Sequence, residues 1–363
     1  MLKLKLSALA LLALVACKSK EEPAAPAKTK TEASALKRLD VPRDILYAGS
    51  AHLRVVDVAL GQVVSGIDLS RALTDISFTP DGKTAYLAAS DGVRVVDVET
   101  SKVTAKLSSS PARQLVLLAG GDRLGVLAHD VAMVQGHPTP SAFRFDVLDP
   151  ATGKVEKTEV VGERVLGIVP SADPARNSLV LFESGEVRLV RGGAPLSSEG
   201  RTVDLEGGLE PEKGRLVMRP YFAVSPDGST AFVPVEAKPA RIVAIDLLSG
   251  GSRVMSLGEA SYLRGLAVSP DGKTLVVNAM KKLVTMDLAS GKILGSVELD
   301  GAHLGVVLSA DGRRAYLAQT VHENGGAITA VGLDPLRVQG KIHLADISPW
   351  VLAIKPNAAV ALR

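Results

Sequence analysis

A chain of 363 residues with 42 Lys and Arg against 39 Asp and Glu, and only 3% aromatic side chains, carries neither the basic excess nor the stacking groups of a nucleic-acid-binding surface. Its one cysteine, Cys17, excludes an internal disulfide, so stability must come from the core. Without Lys3 and Lys5, 40 basic residues face 39 acidic ones, a near-neutral balance.

Residues 1–16 read as a secretory leader. Lys3 and Lys5 charge its start, and Leu6 to Ala16 is an apolar run too short to span a bilayer. Leu14-Val15-Ala16-Cys17 resembles the bacterial lipobox. The resemblance implies that Cys17 becomes the lipidated first residue of the mature protein. With Lys18 rather than an aspartate after it, the resemblance further implies sorting to the outer membrane, facing the periplasm of a bacterial envelope. Residues 17–44 then form the lipidated cysteine and a flexible tether. Its Lys, Glu, Ala, Pro and Thr bury too little apolar surface to offset the entropy of ordering.

From residue 45 to 363 the hydrophobic runs are short and regularly broken by Gly, Asp, Pro and Ser, with no apolar helical face sustained over three turns; the class is all-β. One phrase recurs between apolar runs: Thr79-Pro80-Asp81-Gly82, Ser225-Pro226-Asp227-Gly228, Ser269-Pro270-Asp271-Gly272 and Ser309-Ala310-Asp311-Gly312. Glycine after aspartate supplies the positive φ of a tight turn, and proline presets φ one position earlier. A second marker closes each third strand, where Asp57, Asp97, Asp149, Asp246 and Asp287 stand four residues before Gly61, Ser101, Gly153, Gly250 and Gly291. Aspartate there accepts bonds from the turn's own N–H groups.

Together the markers predict seven four-stranded units (strands a to d), at 45–70, 71–109, 110–162, 163–205, 206–258, 259–300 and 301–344: a seven-bladed β-propeller. The first unit lacks strand a. Trp350 to Asn357 reads as the missing strand plus its turn, closing the ring and hiding an edge. Ala358 to Arg363 offers the start of a further strand b, duplicating Ile45 to Gly49.

The repeat, seen whole in Leu263 to Leu299 with Thr274-Leu275-Val276-Val277-Asn278 as second strand, resembles the YVTN-type surface-layer and lactonase-like propellers. It is also similar to the seven-bladed β subunit of quinohaemoprotein amine dehydrogenases and the methylamine dehydrogenase heavy chain. There is no Trp-Asp blade ending, and a single Trp cannot supply the per-blade tryptophans of quinone-binding eight-bladed rings.

Connectivity puts the short a–b and c–d turns on one face. The long connections Val131 to Ser141, Glu206 to Leu216, Glu236 to Arg241 and Gln319 to Gly326 fall on the other, where binding is usually built. Near the start of successive inner strands stand Arg71, Arg113, Arg164, Arg219 and Arg264. They either focus a positive potential at the channel mouth for an anionic ligand or acidic loop, or pair with Asp75, Glu163, Glu259 and neighbouring carbonyls. Tyr221, Tyr262 and Trp350 lie at the same entrances, as interface anchors or as filling between blades. His52, His137, His303 and His322 map to this face with no local spacing of a zinc site and read as solvated loop residues. Candidate binding residues are Arg71, Arg113, Arg164, Arg219, Tyr221, Tyr262, Arg264, His303, His322 and Trp350; no metal ligand or cofactor is assigned.

No Gly-x-Ser-x-Gly elbow, haem-attachment Cys-x-x-Cys-His or phosphate loop is present, so the isolated chain reads as non-catalytic. The expected function is a membrane-anchored binding propeller that engages a protein or small anionic ligand through its long-loop face. The resemblance implies two alternatives: a β-type subunit of a periplasmic amine dehydrogenase or related redox complex, and a lactone or ester hydrolase.

Overall fold

The computed structural model describes residues 43–108, 110–118, 121–134, 137–162, 164–205, 222–235, 239–320 and 325–356. The expected leader, Cys17, the expected tether as far as residue 42 and the last seven residues lie outside them. Strands β1 (Ile45–Gly49), β2 (His52–Asp57) and β3 (Gln62–Asp68) open the fold. Blade 2 is β4 (Leu73–Phe78), β5 (Thr84–Ala89), β6 (Gly92–Asp97) and β7 (Lys102–Ser108). Blade 3 is β8 (Ala112–Leu118), β9 (Arg123–Val134), β10 (His137–Leu148) and β11 (Val155–Gly162). Blade 4 is β12 (Val165–Val169), β13 (Asn177–Phe182), β14 (Glu186–Arg191) and β15 (Arg201–Asp204). Blade 5 is β16 (Ala223–Val224), β17 (Thr230–Val235), β18 (Arg241–Asp246) and β19 (Ser252–Ser256). Blade 6 is β20 (Gly265–Val268), β21 (Thr274–Asn278), β22 (Lys282–Asp287) and β23 (Ile293–Glu298). Blade 7 is β24 (His303–Leu308), β25 (Arg314–Thr320), β26 (Gly326–Leu333) and β27 (Leu336–Leu344). The last strand, β28 (Val351–Ile354), returns to pair antiparallel with β1, giving blade 1 the order β28-β1-β2-β3. The chain is an all-β, seven-bladed propeller of four-stranded antiparallel blades, with boundaries where the turn markers put them.

The turns hold by the chemistry their residues supply. In the phrase at 269–274, Ser269 Oγ donates to Asp271 Oδ1 at 2.6 Å and accepts from the Thr274 N–H at 2.8 Å. The Lys273 N–H donates to Asp271 Oδ1 at 3.1 Å, and Gly272 turns the chain at φ 71°. The same set recurs at Thr79, Ser225 and Ser309. In the second marker, Asp287 Oδ1 accepts from the Ser290 N–H at 2.7 Å, and Asp97 likewise from Thr100. The aspartates are turn-formers.

First strands of successive blades pack against one another round the axis: β28 on β4, β4 on β8, β8 on β12, β16 on β20, β20 on β24 and β24 on β28. Alternation along each strand feeds the two neighbouring seams. Seven apolar clusters result among the described residues, one per seam. In β28, Val351 and Ala353 enter the seam with blade 2, while Leu352 and Ile354 enter that with blade 7.

Side chains also latch the seams. Bulges in β4 and β8 interrupt the pairing between Leu73 and Asp75 and between Ala112 and Gln114, and a bulge re-aims the side chains beside it. Asp75 Oδ2 accepts from the Leu115 N–H at 2.8 Å, and Gln114 exchanges two bonds with the Ile168 backbone at 2.8 and 2.9 Å. Asn278 Nδ2 donates to the carbonyls of His303 and Gly305, both at 3.0 Å.

Candidate functional site

The connections entering the inner strands and those joining each second strand to its third share one face, as the topology requires. Three of the connections into inner strands are left-handed at residues other than glycine: Ser70 (φ 56°), Arg164 (φ 55°) and Tyr262 (φ 57°). Such a backbone costs of order 1–3 kcal/mol where no glycine relieves it, and strain of this kind gathers at functional corners.

Arg71 follows Ser70, and its exposed Nε lies 3.7 Å from Asp91 Oδ2. The same carboxylate takes a bidentate bond from Arg94 at 2.8 Å and faces Lys106 Nζ at 3.6 Å. One carboxylate thus serves three cations. The Arg94 hydrogen bonds, more than the other charges, hold the Asp91 carboxyl below the usual range. Two blades on, Arg164 keeps 77% of its side chain exposed while Nε donates to Glu183 Oε2 at 2.8 Å. Arg113 is buried, with its guanidinium 5.7 Å from the centre of the Phe143 ring. Burial pushes its pKa down against the opposing pull of Glu183.

Tyr262 is exposed at its corner with the Arg264 guanidinium 6.0 Å from its ring centre, and Arg264 also donates to the Leu263 carbonyl at 3.1 Å. Arginine corners and an aromatic therefore do share one rim. Asp91 and Glu183, in the turns between second and third strands, were not among the expected counter-ions. Their signal was each blade's own acid opposite its own corner.

One candidate is placed differently from expectation, and a second is decided between its two readings. His303 is no solvated loop residue: it is fully buried, its Nδ1 3.0 Å from the Gly301 carbonyl and its Nε2 2.8 Å from Thr329 Oγ1. Burial pushes its imidazole below the ordinary value. Trp350 is half-buried in the seam between blades 1 and 2, where Nε1 donates to the Leu73 carbonyl at 2.7 Å. Of the two readings for this side chain, it fills between blades. Arg219, Tyr221 and His322 lie outside the described residues. Among the described residues no three His, Cys, Asp or Glu side chains are grouped to hold a metal ion.

The connection expected as a loop from Val131 to Ser141 is instead an arm. Strands β9 and β10 stay paired beyond the blade, from Val131 opposite Pro140 to Val134 opposite His137. Val131 is 49% and Met133 68% exposed.

On the opposite, short-turn face a cleft of about 910 Å³ lies between blades 5 and 6, lined by Asp227, Asp246, Asp271, Asp287, Lys273 and Arg253 among others. All four carboxylates accept bonds within their own turns, and Arg253 donates to the Leu288 and Ala289 carbonyls. Its four carboxylates are thus engaged in turn geometry.

No protein-family model matches the chain, and no curated protein does. Solved structures match in shape. A functionally unknown protein from Desulfotomaculum acetoxidans DSM 771 superposes with TM-score 0.64 at 14% identity, over 86% of this chain and 99% of that one. Hydrazine synthase of Kuenenia stuttgartiensis gives 0.55 at 20% identity, over 72% and 77%. The dihydro-heme d1 dehydrogenase NirN in complex with DHE gives 0.54 at 16% identity, over 90% and 79%. At such identities the likeness is one of fold.

Proposed function

We propose that this chain is a non-catalytic binding propeller, held at the bacterial cell envelope by a lipidated Cys17, that engages an anionic ligand or a protein through its long-loop rim. The observation that carries the reading is the rim itself, where exposed Arg71 and Arg164, and Tyr262 with Arg264, stand at or beside strained corners. Calorimetric titration of the chain with citrate tests it. The double variant Arg164→Ala, Arg264→Ala is expected to bind about tenfold more weakly, and equal binding by wild type and variant would sink the reading.

A second reading, the β-type subunit of an amine dehydrogenase or related redox complex, draws support from fold likeness to two proteins named as a hydrazine synthase and a heme d1 dehydrogenase. With one cysteine in the chain, haem attached through paired cysteines would have to sit on a partner. Haem or quinone absorbance in a native pull-down favours this reading, and its absence favours the binding propeller.

A further inference from the structure

The arm of blade 3 has two edges, and they are not alike. In an antiparallel ribbon, N–H and C=O groups point alternately toward the partner strand and away from it. On β9 the His129 N–H donates at 3.1 Å to the Pro111 carbonyl, just before β8, and so points away from β10. Alternation then turns the N–H and C=O of Val131 and Met133 to that same side. β8 reaches only to Ala112, opposite Ala128, so among the described residues no strand lies beside Val131 or Met133.

Across the ribbon these two residues stand opposite Pro140 and Pro138. Proline has no N–H, so the outer edge of β10 lacks donors at both positions where it would offer them. One edge of the arm offers acceptors without donors at these positions, and the other keeps both its donors and its acceptors. Because β8 is the inner strand of blade 3, the open edge faces the channel axis.

Charge decides what fits there. Blade 2, on one side of the arm, sets Arg71, Arg94 and Lys106 about the single carboxylate of Asp91. Blade 4, on the other, sets Arg164 against Glu183, which also pulls on the buried Arg113 of blade 3. A second copy of the chain would bring like charges together, whereas an acidic strand meets cations on both flanks. We propose that the open edge of β9 binds an extended, acidic segment of a partner protein as an added strand, main chain to main chain at Val131 and Met133, with its carboxylates toward the flanking arginines and lysine. Residues 130–134 offer about 17 Å of edge, enough for about five residues. The proposal rests on the long-loop rim being the binding face.

The test is fluorescence anisotropy of the full-length chain with a labelled nonapeptide alternating Thr and Glu, beside a Thr/Lys peptide and a Thr/Glu peptide N-methylated at every residue. Binding of the unmodified acidic peptide alone is expected, about tenfold weaker in Met133→Pro, which removes one outward donor without touching the pairing with β10. The N-methylated probe keeps the test intact should that variant fold poorly. Pro138→Thr with Pro140→Thr opens the second edge and is expected to raise the stoichiometry from one peptide to two; a stoichiometry that stays at one overturns the edge assignment. No binding of the acidic peptide, or equal binding of its N-methylated form, overturns the proposal. So does sedimentation showing a wild-type dimer that Met133→Pro dissolves, which would make the occupant a second copy. Loss of binding in Arg71→Ala with no effect of Met133→Pro would sink strand addition and leave the rim as binding face.

Discussion

Replacing Leu352 with alanine tests how the ring closes. Leu352 is 7% exposed, stands opposite Ala48 of β1, and packs with Tyr316, Ile328 and Leu344 in the seam between blades 7 and 1. The substitution removes three carbons, about 0.8 kcal/mol each in transfer alone. The cavity's walls belong to two blades held by their own sheets, so they collapse little, and the total is expected at about 3–4 kcal/mol. Urea unfolding followed by circular dichroism reads this directly. With a slope of about 3 kcal/mol/M the midpoint falls by about 1 M, and the slope stays unchanged. Were β28 a loose tail, the substitution would fall within about 0.5 kcal/mol, as exposed ones do. A midpoint shift under about 0.2 M would therefore refute closure through β28.

Other consequences can be checked with the same material. Burial lowers the native pKa values of His303 and His129 below 6.5, so the unfolded chain binds more protons just below that value. Their contribution is complete above pH 6.5 and lost as the pH falls toward the depressed native values, by at most about 1.4 kcal/mol each at pH 5.5. His303→Gln should shrink the difference in urea midpoint between pH 7.5 and 5.5, and an undiminished difference would exclude His303 as its source. Asp227 is held at about 2, first by Ser225 Oγ and then by bonds from Ser229; in Ser225→Ala its carboxyl ¹³C titration should move upward, and an unmoved curve contradicts the turn geometry. Trp350→Phe removes the bond to the Leu73 carbonyl and should cost about 1 kcal/mol in the same unfolding assay. A neutral result would remove that bond from the seam.

Sequence revealed what is decided within a few residues. The Ser-Pro-Asp-Gly and aspartate turns close by bonds spanning five residues or fewer, so their chemistry was visible in order along the chain, and blade number and boundaries followed. What needed the third dimension was missed. His303 was read as a solvated loop residue because its reach to Thr329, two strands away across β25, depends on how β24, β25 and β26 are paired. Asp91 and Glu183 became counter-ions only once each blade folded its second turn back beside its first strand. The stretch from Val131 to Ser141 was visible as a long connection, whereas the pairing of Pro138 and Pro140 with Met133 and Val131 is a matter of register.

Blade 1 carries a consequence for how the chain could be cut. In the other six blades the first strand runs covalently into the second, while in blade 1 that corner is where the Lys355 N–H meets the Ile45 carbonyl at 2.9 Å. Lys355-Pro356 stands where Ser269-Pro270 stands in blade 6. Joining the two ends by a short turn and opening the chain at Gly272 would leave every blade its four strands and every seam its neighbours. The ring has no structural first residue, so a circular permutant cut at any of these turns should assemble into the same propeller.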